Sequence, residues 1–154
     1  MIVVAQESIQ QPDALWLLDR LSDTLAQLTG SSGRASFDAG AMQQPGSCFA
    51  MARDAQRRPV GCGAFRPLQP GVAELKRMYA LHCGQGIGAA LVQFLEQQAR
   101  EQGYQAMWLE TRKVNSRALA FYAGQGYQPI VPFGHYVGNA AAQCLGKSLV
   151  FPSP

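Results

Sequence analysis

The sequence predicts a mixed α/β fold of the α+β kind: one central, mostly antiparallel sheet of about seven strands with helices flanking it. Three observations lead there. Short strand-like runs recur along the chain, and three of them follow one another from Cys48 to Leu81 with only tight turns between them. A helical pattern precedes this meander and another follows it. A glycine cluster, HCGQGIGAAL (His82–Leu91), converts the last strand of the meander into the second helix.

MIVVA reads as a short first strand. Pro12 and Asp13 mark a helix start, and Ala14, Leu17, Leu18, Leu21, Leu25 and Leu28 fall on one helical face. Gly30 to Ser47 is rich in Gly and Ser and reads as a loop with room for a helical turn. A loop of that length is more than a connection. CFAMARD and PVGCGAFRPL are two strands joined by the polar turn AQRR, and VAELKRMYAL is the third. Ile87, Leu91, Phe94 and Leu95 line one face of a helix that ends near Gly103. AMWLET is a strand, and Asn115 is an N-cap for a helix through Phe121 and Tyr122 that stops at the glycines of GQGY. YQPIV and AAQCLGKSLV close the sheet.

A chain of 154 residues suits one domain, 1–154. Its 47% hydrophobic and 15% charged residues exclude a disordered chain. The net charge of +3 is mild and scattered, which argues against nucleic acid. Cys48, Cys62, Cys83 and Cys144 form no C-x-x-C pair, so reduced thiols in a cytoplasmic core are expected. With only His82 and His135 beside them, no metal site is expected. No signal peptide or membrane-spanning run is read, so a membrane is not expected as a partner.

The glycine cluster between strand and helix suits a phosphate. Backbone N–H groups converge at a helix N-terminus, the macrodipole favours an anion, and glycine allows close approach. Two ligand families compete. Gly84, Gly86 and Ala89 satisfy the dinucleotide pattern G-x-G-x-x-A, and Glu110 ends the next strand where a ribose-binding acid would stand. Against this, the motif follows three antiparallel-looking strands, and what remains after Glu110 is one helix and two strands rather than repeated βαβ units.

The alternative ligand is coenzyme A, and here the chain resembles the GNAT superfamily of acetyl-CoA-dependent N-acetyltransferases. That family carries Q/R-x-x-G-x-G/A between its fourth strand and the next helix, and Cys83–Gly88 fits it at Gly86 and Gly88. ELKRMY resembles the family's fourth strand and WLET its fifth. NSRALAFYAGQGY resembles the family's N-x-x-A-x-x-x-Y-x-x-x-G-[FY] helix, with Asn115, Ala118, Tyr122, Gly126 and Tyr127 in register. PFGHY and CLGKSL resemble a branch that acts on small molecules. The likeness covers nearly the whole chain and is strongest from Val60 to Leu149. One departure stands out. Cys83 occupies the position of the usual Gln or Arg, and the connection after Tyr79 is short and lacks its usual proline. A side-chain contact to the phosphates is therefore not carried over there, whereas the backbone donors are unaffected.

The resemblance implies a GNAT-like sheet splayed between strands 4 and 5, with acetyl-CoA as co-substrate lying in the gap. Backbone groups of Met78, Tyr79 and Ala80 would line the acyl arm. Cys83, Gly84, Gln85, Gly86, Ile87, Gly88 and Ala89 would surround the pyrophosphate, and Asn115 would bond near the pantetheine. Acetyl transfer needs a neutral amine, although alkylamines titrate near pKa ~10. It also needs a stabilised oxyanion and a proton for the leaving thiolate. Tyr122 holds the position of the family's general acid. For the base, Glu110 matches the ribosomal-protein N-terminal acetyltransferase branch, and Glu74 matches other members. A cysteine nucleophile at Cys83 lacks a histidine-plus-acid arrangement beyond adjacent His82. The implied partners are acetyl-CoA and a small-molecule or amino-acid-like amine acceptor, with a homodimer left open. A protein N-terminal or lysine acetyltransferase is the alternative, as is an acetyl-CoA-binding module without turnover.

Overall fold

The computed structural model describes residues 1–30 and 44–150. It contains seven strands and three helices in the expected order: β1 (Val3–Gln6), α1 (Pro12–Thr29), β2 (Cys48–Arg53), β3 (Pro59–Gln69), β4 (Val72–Ala80), α2 (Ile87–Glu101), β5 (Ala106–Arg112), α3 (Ser116–Gly124), β6 (Gln128–Pro129) and β7 (Ala142–Ser148). The glycine- and serine-rich loop read from Gly30 to Ser47 lies, in its residues 31–43, outside the described residues.

All strands join one sheet in the order β1-β2-β3-β4-β5-β7-β6. Every neighbouring pair is antiparallel except β4 and β5, which run parallel. That exception follows from the chain path: α2 carries the chain back across the sheet, as a parallel crossover requires. The parallel pairing spans only Val72↔Ala106, Ala73↔Met107 and Glu74↔Trp108. Beyond Glu74 the two strands part.

The cause of the parting lies in β4. Between Cys62↔Tyr79 and Ala64↔Lys76, β4 spends one residue more than β3, which is a bulge. Arg77 sits inside it with φ of 56°, in the left-handed region that a residue with a Cβ seldom occupies. Strain of this kind persists only where surroundings over-determine it. Here the Arg77 guanidinium reaches α1, donating to the Leu18 carbonyl at 3.3 Å and to Ser22 Oγ. The Cys62 thiol donates to the Arg77 carbonyl at 3.5 Å.

The two sheet faces carry different cores. α1 covers Phe49, Met51, Cys62 and Ala64 with Ala14 and Leu17. α2 covers the opposite face, where Ile87, Leu91 and Leu95 meet Leu75, Met107, Leu109, Tyr122 and Tyr127. The apolar stripe read on α1 is narrower than expected. Ala14, Leu17 and Leu21 are buried, but Leu28 is 56% exposed on the last turn, past the edge of the sheet face. A buried carboxylate, Glu96, is tolerated because it is paired. It accepts from Tyr127 Oη at 2.9 Å and from Lys147 Nζ at 2.9 Å, which ties α2 to the end of α3 and to β7.

Cys48, Cys62 and Cys144 are buried free thiols, whereas Cys83 is exposed, so the expectation of four core thiols is corrected at Cys83. It stands in the turn between β4 and α2, which has no core to enter. Burial pushes the Cys48 thiol up to about 11 and the Cys62 thiol up to about 12, so both stay protonated and inert near neutral pH. Among the described residues, no helix is long and apolar enough to cross a membrane.

Candidate active site

The fork between β4 and β5 opens a cleft through the sheet. Its walls are β4 from Glu74 to Met78, β5 from Leu109 to Arg112, Asn115, Ala118 and Tyr122 of the α3 region, Tyr136, and the end of α1. Strand alternation sorts the lining by face. Leu75, Leu109 and Tyr122 belong to the core under α2. Glu74, Lys76, Glu110 and Arg112, at the intervening positions, face the α1 side. The cleft thus has an aromatic, helix-lined mouth on one face and a charged floor on the other.

The backbone of β4 beyond the bulge is divided in the same way. Leu81 N–H donates to the Val60 carbonyl at 2.8 Å. Antiparallel alternation then turns the N–H and C=O of Tyr79 toward β3 and those of Ala80 toward the open edge. Met78 lines the cleft directly. Of the three residues expected to line an acyl arm, Tyr79 therefore has its backbone engaged by β3.

The two carboxylates differ sharply. Glu74 is 1% exposed and its charge is already matched. Arg66 Nη2 lies 2.8 Å from its Oε1, Lys76 Nζ lies 3.7 Å from Oε2, and Tyr136 Oη donates to Oε2 at 3.3 Å. Arg66 stands opposite Glu74 in the β3–β4 register, and Tyr136 arrives on a short 3-10 turn, Gly134–Tyr136. Neither partner was read from the sequence: the two-residue hairpin at Pro70 and Gly71 would set Arg66 opposite Leu75, and an irregularity between Pro67 and Gln69 shifts it to Glu74. Among the described residues Glu110 has one ion-pair partner, Arg112, with Nη1 3.5 Å from Oε2. Burial raises its pKa above the usual carboxylate range, against the pull of Arg112 and Lys76 and with the push of Glu74. A raised carboxylate in a cleft is poised for proton transfer nearer neutral pH.

Tyr122 is buried, and burial lifts its phenol well above the ordinary range. The hydroxyl therefore keeps its proton throughout the working pH range, as a donor must. Edge contacts with Phe121 and Tyr127, at ring separations of 5.0 and 5.7 Å, hold the ring. Asn115 caps α3 as expected, its Oδ1 accepting from Ala118 N–H at 3.2 Å, and it also lines the cleft.

The glycine cluster lies at the end of β4. Gly84 and Gly86 both have φ of 75°, and Gly86 is the N-cap of α2. A Cβ built on either would meet nothing within 4 Å. These glycines therefore answer to backbone conformation and leave open space before the helix. Ala90 N–H makes the first helical bond, to the Gly86 carbonyl, so the amides of Ile87, Gly88 and Ala89 have no acceptor within the helix and suit an anion. The arrangement fits a pyrophosphate. Gly88 has a further duty: a Cβ there would lie 3.0 Å from Phe121 Cζ, so its smallness admits α3 against α2.

Comparison with known proteins agrees with this geometry. A family profile described as the acetyltransferase (GNAT) family matches residues 14–127. An IAA acetyltransferase of Azospirillum brasilense is 31% identical over 151 residues, covering 96% of this chain and 98% of that protein. Human N-acetyltransferase 8 is 29% identical over 129 residues, covering 79% of this chain and 56% of the relative. Among solved structures, a Klebsiella pneumoniae protein described as an acyl-CoA N-acyltransferase superposes with a TM-score of 0.81 at 26% identity, covering 97% of this chain and 99% of that one. A Thermoplasma acidophilum N-acetyltransferase, solved with coenzyme A, shares the fold at a TM-score of 0.73 and 17% identity over 96% of this chain and 99% of its own.

Proposed function

The chain belongs to the acetyltransferase (GNAT) family, an acyltransferase with acetyl-CoA as its co-substrate, and from that premise we propose that it acetylates the amine of a small-molecule acceptor in the cytoplasm. One observation carries this reading: a single cleft joins a desolvated carboxylate on one sheet face to a protonated phenol on the other. The full-length likeness to a protein named IAA acetyltransferase supports acetyl transfer as the reaction.

Acetyl-CoA supplies an activated acetyl thioester. The amides of Ile87, Gly88 and Ala89, with the α2 dipole behind them, hold its pyrophosphate. The open edges of β4 and β5 receive its arm as an added strand, and Ala80 N–H on that edge polarises the thioester carbonyl. Glu110 takes the proton from the attacking amine, directly or through water. As the N–C bond forms and the C–S bond breaks, Tyr122 gives its proton to the leaving sulfur. Glu74, held by Arg66, Lys76 and Tyr136, fixes the charged floor rather than moving a proton.

The test is calorimetric titration with acetyl-CoA followed by thiol release across a panel of small amines, peptides and lysine-bearing proteins. Release with small amines is expected. Turnover confined to peptides or proteins would replace the acceptor class. Binding without release on any acceptor would leave a sensor in place of an enzyme.

Cys83 is exposed at the entrance to the phosphate cradle. Cys83→Ala should retain turnover, because no step uses the thiol. Cys83→Arg should keep or tighten coenzyme A affinity by adding a cation beside the pyrophosphate. An alanine variant that binds coenzyme A normally and turns nothing over would restore a nucleophilic role for the thiol.

A further inference from the structure

We propose, resting on the proton-donor reading of Tyr122 above, that Glu96 is a positioning residue: through Tyr127 and Lys147 it sets Tyr122 in place relative to the phosphate cradle. Glu96 stands on α2, the helix whose first amides form that cradle, and it is buried. Nine residues separate it from Ile87, which at about 1.5 Å each puts it about 13.5 Å further along the same helix. It takes no part in the transfer itself. A carboxylate at this depth needs partners to be tolerated, and the shortest of its contacts converge on the end of α3.

Tyr127 Oη donates to Glu96 Oε2 at 2.9 Å, and Lys147 Nζ donates to Oε1 at 2.9 Å and to Oε2 at 3.2 Å. Arg100 Nη2, one turn further along α2, lies 3.9 Å from Oε1. Lys147 Nζ also donates to the Gln125 carbonyl at 2.9 Å, and Gln125 is the C-cap of α3. Tyr127 in turn holds Tyr122 twice. Its backbone N–H donates to the Tyr122 carbonyl at 3.0 Å, and its ring meets the Tyr122 ring edge-on at 5.7 Å. Both the main chain and the ring of Tyr122 are thus one contact away from a side chain that Glu96 grips.

The chemistry gives this placement its value. The pyrophosphate and the thioester sulfur belong to one molecule, so holding the first at α2 limits where the second can lie. The phenol must then stand within hydrogen-bond reach of that sulfur. Phe121 closes on Gly88 in the first turn of α2, but an apolar contact lets α3 slide. Directional hydrogen bonds to Glu96 do not. A misplacement of about 1 Å in a reacting group can cost about a hundredfold in rate.

The experiment compares Glu96→Gln and Tyr127→Phe with wild type, each alone and in the Tyr122→Phe background. Glu96→Gln keeps the shape and removes the charge that gathers both donors. Tyr127→Phe removes one hydroxyl and serves as the milder variant if the first folds poorly. Without acetyl-CoA, amide hydrogen exchange at Gln125 and Tyr127, whose N–H groups bond to the Tyr122 carbonyl, should quicken by roughly tenfold, while exchange in β2 and β3 keeps its rate. With acetyl-CoA and one competent amine, kcat should fall by roughly tenfold or more, while KM and calorimetric affinity for acetyl-CoA stay within about twofold. In the Tyr122→Phe background the same substitutions should change kcat by no more than about twofold, because a residue that acts through the phenol then has nothing to position. A merely structural Glu96 would lower the melting temperature and leave kcat unchanged well below the melt, and that result would overturn the assignment. An equal loss of kcat in both backgrounds would do the same, as would unchanged exchange at Gln125 and Tyr127. Wild-type kcat in Tyr122→Phe alone would remove the proton-donor reading itself, and this inference with it.

Discussion

Gly86→Val is expected to cost about a hundredfold or more in acetyl-CoA affinity, while the protein still folds. Gly86 has φ of 75°, where a valine is strained by about 1–2 kcal/mol. The core does not resist the new side chain, because nothing lies within 4 Å of the added Cβ. Its branches would instead project into the open space before the first turn of α2. If the loop relaxes to relieve the strain, it moves the amides of Ile87, Gly88 and Ala89. If it does not, the side chain stands where the pyrophosphate would lie. Either outcome removes one or two charge-assisted hydrogen bonds, each worth about 1.5–3 kcal/mol, and each tenfold in affinity is about 1.4 kcal/mol. Calorimetry with acetyl-CoA, beside a thermal melt, measures both parts. A folded variant that binds as tightly as wild type would remove the phosphate cradle.

The same two glycines show what the sequence made legible. Glycines between a strand and an apolar helix have few physical explanations, and the turn they predicted is the one observed. The order of elements was readable because hydrophobic periodicity and turn residues agree along most of the chain. The N-cap at Asn115 was readable for the same local reason. What escaped depends on register and on tertiary contact. Nothing in the residue type of Arg77 announces a left-handed bulge, since the conformation is held by α1, distant in sequence. Gly88 reads as a phosphate glycine in the motif, and only the approach of Phe121 exposes its packing duty. The difference between Glu74 and Glu110 was invisible as well. Both are acids on neighbouring strands, and only the cross-strand pairing with Arg66 and the arrival of Tyr136 separate them. YQPIV promised a longer strand than the two residues of β6, because the pairing with β7 ends at the Ile130 N–H, which donates to the Cys144 carbonyl at 3.0 Å.

The two proton-transfer roles make the other large prediction. Tyr122→Phe removes one hydroxyl from a buried ring whose aromatic contacts do not need it. Acetyl-CoA binding should persist while kcat falls by roughly tenfold to a thousandfold, near the range of general acid catalysis. For Glu110 the sign follows from its environment. Burial raises its pKa, so as a base it is active only above that raised value. The acidic limb of kcat/KM against pH should therefore lie higher than an exposed glutamate would set it, and Glu110→Gln should abolish the limb along with most of kcat. Loss of fold is not expected to confuse the result. A carboxyl group whose folded pKa is raised contributes stability below its unfolded pKa, and that stability is lost as pH rises through the folded one. Above its folded pKa the native state thus bears the cost of ionised Glu110, and the neutral glutamine should melt no lower than wild type. Glu74→Gln is the contrasting variant, because it strips a buried partner from Arg66 and Lys76. It should lower the melting temperature and raise KM, while keeping the acidic limb. Profiles of kcat/KM and melts for wild type and the three variants, with one competent amine, decide the matter. A Tyr122→Phe enzyme at full speed would end the general-acid role, and an acidic limb lost in Glu74→Gln but kept in Glu110→Gln would exchange the two carboxylates.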